Sequence, residues 1–176
     1  MHGRDIDENV IEKYSLGLGL KEPNYLYKKL KKDFSDEVLE ASGLVIKGNH
    51  GYIDRFRNRV IIPIQDEKGN YVAFGARAVE AGQNPKYLNS PDTIIYNKSR
   101  ILYGLYTAKD SIKENDAVII MEGYFDVISA QAHGIENCVA SCGTSLTADH
   151  VKLLARYTKS RRVYLSFDTD TAGVNA

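Results

Sequence analysis

Two apolar runs in the C-terminal third of the chain end in acid. Val118-Ile119-Ile120-Met121 leads into Glu122-Gly123, and Val163-Tyr164-Leu165-Ser166-Phe167 leads into Asp168-Thr169-Asp170. If the two runs are neighbouring strands, Glu122, Asp168 and Asp170 meet at one rim of a sheet. Three carboxylates so close repel one another unless a cation lies among them. Mg²⁺ commonly takes one or two carboxylates together with substrate phosphates. The Asp-x-Asp spacing lets both side chains face one site, and Gly123 leaves the backbone room beside the acid. Taken singly, each acid is better read as a helix cap or a solvated group: Glu122 precedes a helical segment, and Asp168 or Asp170 could cap a helix begun near Ala172. A phospho-acceptor receiver domain also clusters acids at strand ends, but it wants a later Lys and leaves residues 1–115 unexplained. The three acids at matched strand ends favour a metal.

A second constellation is basic. Arg55, Arg57 and Arg59 alternate, so on an extended segment they share one face, with Phe56 turned to the core. Arg77 ends a strand run, Lys86 and Tyr87 stand in Pro85-Lys86-Tyr87-Leu88-Asn89-Ser90-Pro91, and Lys98 and Arg100 follow. Cations interleaved with an aromatic, an Asn and a Ser suit phosphate and nucleotide contacts. A solvated face is the competing reading, and it is the better one for Lys28, Lys31 and Lys32. Gly143-Thr144-Ser145-Leu146-Thr147 is either an anion-holding loop at a helix N-terminus or a tight turn and cap. His50, His133 and His150 have no ligand spacing, and Cys138 and Cys142 read as small core residues.

These groups need elements to hold them. Asp7 caps a helix carrying Val10, Ile11 and Tyr14 and closed by Gly17; Pro23 opens a second, through Tyr25, Leu26 and Leu30; Ser35 caps a third, stopped by Gly43. Leu44–Ile46 is a strand before a turn at 48–51. Val60–Ile64 and Tyr71–Phe74 form a hairpin around Asp66-Glu67-Lys68-Gly69-Asn70, with Pro63 marking an edge or bulge. Residues 80–100 read as irregular. From Ala117 the pattern alternates: strand, helix Tyr124–His133 closed by Gly134, short strand Cys138–Ala140, helix capped by Thr147, strand Val163–Phe167. Alternation of this kind predicts a parallel sheet with crossover helices, which binds ligands at the carboxyl ends of its strands.

The fold class expected is therefore α/β: an α+β part over residues 1–114, then a βαβαβ parallel-sheet part over residues 115–176. With 43% hydrophobic and 26% charged residues the composition is globular. Lys+Arg and Asp+Glu both number 23, which excludes a uniformly basic nucleic-acid coat but not local basic patches. No apolar run reaches the roughly 20 residues of a membrane span. Two cysteines build neither a disulfide framework nor a four-ligand zinc site. A cytoplasmic setting is expected.

The motifs are recognisable together. Met121-Glu122-Gly123-Tyr124-Phe125-Asp126-Val127-Ile128, Gly143-Thr144-Ser145-Leu146-Thr147 and Phe167-Asp168-Thr169-Asp170-Thr171-Ala172-Gly173 resemble a Toprim domain, which primases, topoisomerases and some nucleases share. Asp54-Arg55-Phe56-Arg57-Asn58-Arg59-Val60, Pro85-Lys86-Tyr87-Leu88-Asn89-Ser90-Pro91 and Leu102-Tyr103-Gly104-Leu105-Tyr106 narrow the resemblance to the bacterial DnaG-type DNA primases. It implies metal-dependent nucleotidyl transfer that makes short RNA primers on single-stranded DNA. Glu122, Asp168 and Asp170 then match the catalytic and metal-binding acids, for Mg²⁺ or Mn²⁺. Asp126, Gly123, Gly143 and Thr144 match supporting positions. Lys86, Tyr87, Asn89, Lys98 and Arg77 match nucleotide-binding positions, and Arg55, Arg57 and Arg59 a template-binding motif. Implied partners are single-stranded DNA, ribonucleoside triphosphates and, through a domain absent here, the replicative helicase; zinc is expected only in another absent domain. The chain is expected to be a monomeric fragment of nucleoid-associated replication machinery, inactive or weakly active alone. The family's usual Asp-Gly-Asp is Asp168-Thr169-Asp170 here. Another Toprim enzyme, a nuclease or topoisomerase, is the alternative, and a non-catalytic nucleic-acid-binding module is a third reading.

Overall fold

The computed structural model describes residues 6–167. Short helices open the chain: α1 (Glu8–Lys13), capped by Asp7, whose carboxylate accepts from Val10 N–H at 2.9 Å; α2 (Tyr25–Leu30); and α3 (Asp36–Ala41), capped by Ser35. The first sheet has the order β1-β4-β5-β6, all antiparallel, from β1 (Gly17–Gly19), β4 (Arg59–Gln65), β5 (Tyr71–Ala78) and β6 (Tyr87–Asn89). A separate hairpin joins β2 (Val45–Gly48) to β3 (Gly51–Asp54). The β4–β5 turn is tied by Asp66, whose carboxylate accepts from the backbone N–H groups of Lys68 and Asn70, each at 2.9 Å. Pro63 lies beyond the three residues of β4 that β1 covers, so it interrupts no ladder on that side, and the register shifts between Ile64 and Gln65.

The second sheet has the order β10-β8-β9-β7. It is built from β7 (Leu102–Tyr103), β8 (Ala117–Met121), β9 (Cys138–Ser141) and β10 (Arg162–Ser166), with α4 (Leu105–Asn115), α5 (Tyr124–Ala132) and α6 (Ala148–Leu154) between them. β8 runs parallel to both β9 and β10, as the alternation predicts, and β7 pairs antiparallel with β9. The sheet is mixed because one more strand precedes the alternating part.

The two halves share an apolar core. Ile62, Ile64 and Ala73 of the first sheet pack in one cluster with Tyr103, Tyr124, Val127, Ile128, Cys138 and Ala140. Gln131 is buried in the same region and satisfied on both ends of its amide: Oε1 accepts from Tyr14 and Thr107 hydroxyls, and Nε2 donates to the Cys138 carbonyl. A second cluster joins Leu105, Ala108 and Ile112 of α4 to Val118, Ile120 and Leu154.

Several expectations need correction. α1 stops at Lys13, and Gly17 starts β1, in register with Ile61 of β4. Pro23 precedes α2 instead of opening it, since Asn24 is the N-cap. α2 ends at Leu30, short of Lys31 and Lys32, and the lysines are solvated as expected: Lys28 pairs with Glu22 and Lys31 with Asp36 on the surface. Residues 80–100 hold the short strand β6. The segment 55–58 is a bend with Asn58 at φ +52°, so Arg55, Arg57 and Arg59 do not line up on an extended face. Phe56 is buried, as expected.

Candidate functional site

The parallel register fixes where the two acidic strand ends lie. Ser166 of β10 is level with Met121 of β8, so Glu122 and Phe167 leave the sheet side by side. Asp168 and Asp170 lie outside the described residues. Glu122 is exposed at the rim of an open cleft of about 530 Å³, lined also by Ile120, Ser141, Gly143, Thr144, Ser145, Leu146 and Phe167. Glu122 does not cap α5. Gly123 is the N-cap, and Asp126 reaches back so that its carboxylate accepts from Gly123 N–H at 3.1 Å. Asp126 thereby sets the direction in which the chain leaves β8 and carries Glu122.

The Gly143 loop is a turn some residues ahead of α6, not part of that helix's N-terminus, which Thr147 caps. Gly143 sits at φ +73°, where an L side chain is strained, and an added Cβ would collide with Nδ2 of Asn89. Asn89 is therefore a strut. Its Nδ2 donates to the Cys142 carbonyl at 3.0 Å, and its Oδ1 accepts from the Tyr124 hydroxyl at 3.0 Å. Its own carbonyl accepts from Arg55 Nε at 3.2 Å. Gly75 of β5 makes room for the Tyr124 ring on the other side. Burial pushes the Tyr124 hydroxyl far above its ordinary pKa, so it serves as a proton donor in this bridge.

The basic groups divide by position. Lys86 and Tyr87 are exposed, with the ammonium 5.9 Å from the ring centre. Arg77 pairs across strands with Tyr87 and lays its guanidinium 5.5 Å from the Phe125 ring centre, at the start of α5. Lys98 is half-buried. Its charge is felt at Cys142, where it opposes the larger effect of burial, which pushes that thiol up to about 11. Cys138 is likewise raised by burial, to about 12, so both thiols are inert core groups. The three arginines each donate to backbone carbonyls: Arg55 to Asn89, Arg57 to Asp54, and Arg59 to Pro85 at 2.7 Å. Arg59 is only 4% exposed, so it shapes the Lys86 loop from beneath.

Among the described residues no group of three His, Cys, Asp or Glu side chains could hold a metal ion. Among the described residues lining the cleft, Glu122 is the one carboxylate, and Ser141, Thr144 and Ser145 carry hydroxyls; these are oxygen donors. Sequence reasoning missed Tyr124 and Cys142 as the partners of Asn89. It also missed the tie between α6 and residues 98–100, where His150 Nε2 meets the Lys98 carbonyl at 2.9 Å. The Thr147-x-x-His150 spacing signals only the cap; the bond to Lys98 spans 52 residues and leaves no local trace.

This architecture matches known proteins over almost its whole length. The model of the DNA primase catalytic core, N-terminal domain, matches residues 1–109, and a Toprim-like model matches residues 119–176. The chain is 43% identical over 177 residues to a DNA primase of Synechococcus elongatus, covering 98% of this chain and 25% of the relative. It is 41% identical over 174 residues to a DNA primase of Aquifex aeolicus, covering 98% and 34%. Among solved structures, a DNA primase domain from Pseudomonas aeruginosa superposes with a TM-score of 0.90 at 35% identity, over 99% of this chain and 55% of that one. A DnaG primase catalytic domain bound to single-stranded DNA superposes with a TM-score of 0.87 at 38% identity, over 98% and 54%. The chain belongs to the DnaG-type bacterial DNA primase family and carries the N-terminal part of its catalytic core followed by a Toprim-like part. It spans about a quarter to a third of the length of these relatives.

Proposed function

We propose that this chain supplies the nucleotide-handling rim of a primase that makes short RNA primers on single-stranded DNA by nucleotidyl transfer. The parallel pairing of β8 with β10 is the observation that carries the reading. It supports a rim where Glu122, Asp168 and Asp170 gather beside the Gly143 cleft. These three acids would hold a divalent cation, Mg²⁺ or Mn²⁺. When bound, such an ion supplies neutralisation of triphosphate charge and acidification of a primer hydroxyl.

The chain's own residues do the rest. Lys86 and Lys98 offset phosphate charge, and the exposed ring of Tyr87 offers a stacking face beside Lys86. Arg77, braced on Phe125, adds a guanidinium between them and the rim. Asn89 acts by fixing the Gly143 loop, with Gly143 and Thr144 forming the cleft wall. Arg55 and Arg57, half-exposed, contact template phosphate, while Arg59 acts through the loop that it supports. The two parts, residues 1–114 and 115–176, work as one body through their common core. The reading extends to ribonucleoside triphosphates and single-stranded template as partners and to the bacterial cytoplasm as the setting; in this reading the helicase contacts a part of the protein other than these residues. The solved relative bound to single-stranded DNA supports the template part.

Fluorescence anisotropy of a labelled single-stranded oligonucleotide, titrated with the 176-residue chain, tests it. Binding should weaken as salt rises and fall further in Arg55→Ala and Arg57→Ala. Binding that is insensitive to salt and to both substitutions would overturn the template assignment.

A further inference from the structure

The Lys98 segment has no regular structure of its own, yet it is fastened at four successive points. The Lys98 N–H donates to Asp92 Oδ1 at 3.0 Å. The Lys98 carbonyl accepts from His150 Nε2 at 2.9 Å. The Ser99 carbonyl accepts from Thr147 Oγ1 at 2.6 Å, and Arg100 Nε pairs with Asp149 Oδ2 at 3.2 Å. Three of these four partners are the cap and first turn of α6, which lies between β9 and β10. Residues 98–100 and 147–150 belong to different halves of the chain, so the fastening joins them.

His150 is the buried member, fully shielded from solvent. Its partners define its protonation. Nδ1 faces the Thr147 N–H at 3.2 Å and must accept, so the proton sits on Nε2 and is donated to the Lys98 carbonyl. A neutral ring of fixed tautomer thus completes the α6 capping box with one nitrogen and holds Lys98 with the other. A buried histidine usually ends its work in packing; here the second nitrogen reaches a residue that the proposed function assigns to the nucleotide.

We propose that His150 is a positioning residue for nucleoside triphosphate binding, acting through the Lys98 carbonyl to place the Lys98 ammonium at the rim of the second sheet. This rests on the reading of Lys98 as a nucleotide contact. The two nitrogens can be separated by substitution. Glutamine reaches the Nε2 position and keeps a donor for Lys98. Asparagine reaches only the Nδ1 position, keeping an acceptor for Thr147 N–H and losing Lys98.

Affinity for a fluorescent N-methylanthraniloyl derivative of GTP is measured with Mn²⁺ on the 176-residue chain, with thermal melting in parallel. His150→Asn is expected to bind about fivefold more weakly or worse, and His150→Gln to stay within about twofold of wild type, while both melt lower. Lys98→Ala serves as the reference for the underlying reading. A wild-type chain that binds no nucleotide, or a Lys98→Ala chain that binds as well as wild type, overturns that reading and the inference with it. Loss in Lys98→Ala with equal affinities for the Asn and Gln variants overturns the inference alone. Should His150→Asn fail to fold, His150→Gln is compared with His150→Met, which fills similar space without a donor for the Lys98 carbonyl; weaker binding by the Met variant is expected, and equal affinities overturn the inference.

Discussion

Gly143→Ala tests how the two halves are joined at the rim. The substitution has two separable costs. Holding an L residue at φ +73° costs about 1–2 kcal/mol. The new methyl would also displace the Asn89 amide, whose end is not free to swing: Nδ2 and Oδ1 are bound to Cys142 and Tyr124. Losing those two hydrogen bonds costs about 1 kcal/mol each. The sum is about 3–4 kcal/mol in urea unfolding. Asn89→Ala alone loses the same two bonds, about 2 kcal/mol. In an Asn89→Ala background, Gly143→Ala should then cost only its backbone part, about 1–2 kcal/mol, leaving a coupling of about 2 kcal/mol in the double-mutant cycle. Additive costs, with coupling below about 0.5 kcal/mol, would refute the claim that Asn89 and Gly143 form one joint.

Other outcomes follow from the same contacts. Far-UV circular dichroism and tyrosine fluorescence should report a single coincident unfolding transition, because Ile62 and Ile64 share a core with Tyr124 and Val127; two separated transitions would contradict the common core. Ile64→Ala, at a fully buried position in that core, should cost about 2–5 kcal/mol by denaturant titration. Burial, opposed by the carbonyls of Lys98 and Ile101 and by Asp149, lowers the pKa of His150 below its ordinary 6.5. Between the lowered folded value and 6.5 the unfolded chain binds more protons, so stability should fall as pH drops below about 6.5. His150→Gln should flatten that part of the stability–pH curve, and an unchanged slope would show that another group sets it.

The three parallel strands of the second sheet were legible because their signals are local, whereas the two-residue β7 exists only by pairing with β9. Val118–Met121 is an unbroken apolar run, and it is a central strand paired on both sides. Asp7, Ser35 and Thr147 cap helices where their side chains can reach the backbone three residues on. What escaped depended on distant partners. β1 and β6 are three residues each and exist only because β4 and β5 offer edges to them. α4 was legible in principle, since Leu105, Ala108 and Ile112 recur at helical spacing, but its N-cap is Gly104 at φ +80°, which gives no polar capping signal. The arginine alternation misled because period-two spacing implies one face only on an extended backbone, and Asn58 turns the chain between Arg57 and Arg59. Asn89 was singled out from its motif, but its bonds to Cys142 and Tyr124 span 53 and 35 residues and leave no local trace.

The central claim of the proposed function is that Glu122 and the Asp168-Thr169-Asp170 acids share one divalent cation. Electron paramagnetic resonance of Mn²⁺ titrated into the chain measures this directly, with wild type, Glu122→Gln, Asp168→Asn and the double variant compared. Either single substitution should weaken one site by about tenfold or more, and the double variant should lose it. Wild-type Mn²⁺ affinity in Glu122→Gln, with loss only in Asp168→Asn, would mean that Glu122 does not belong to the same site.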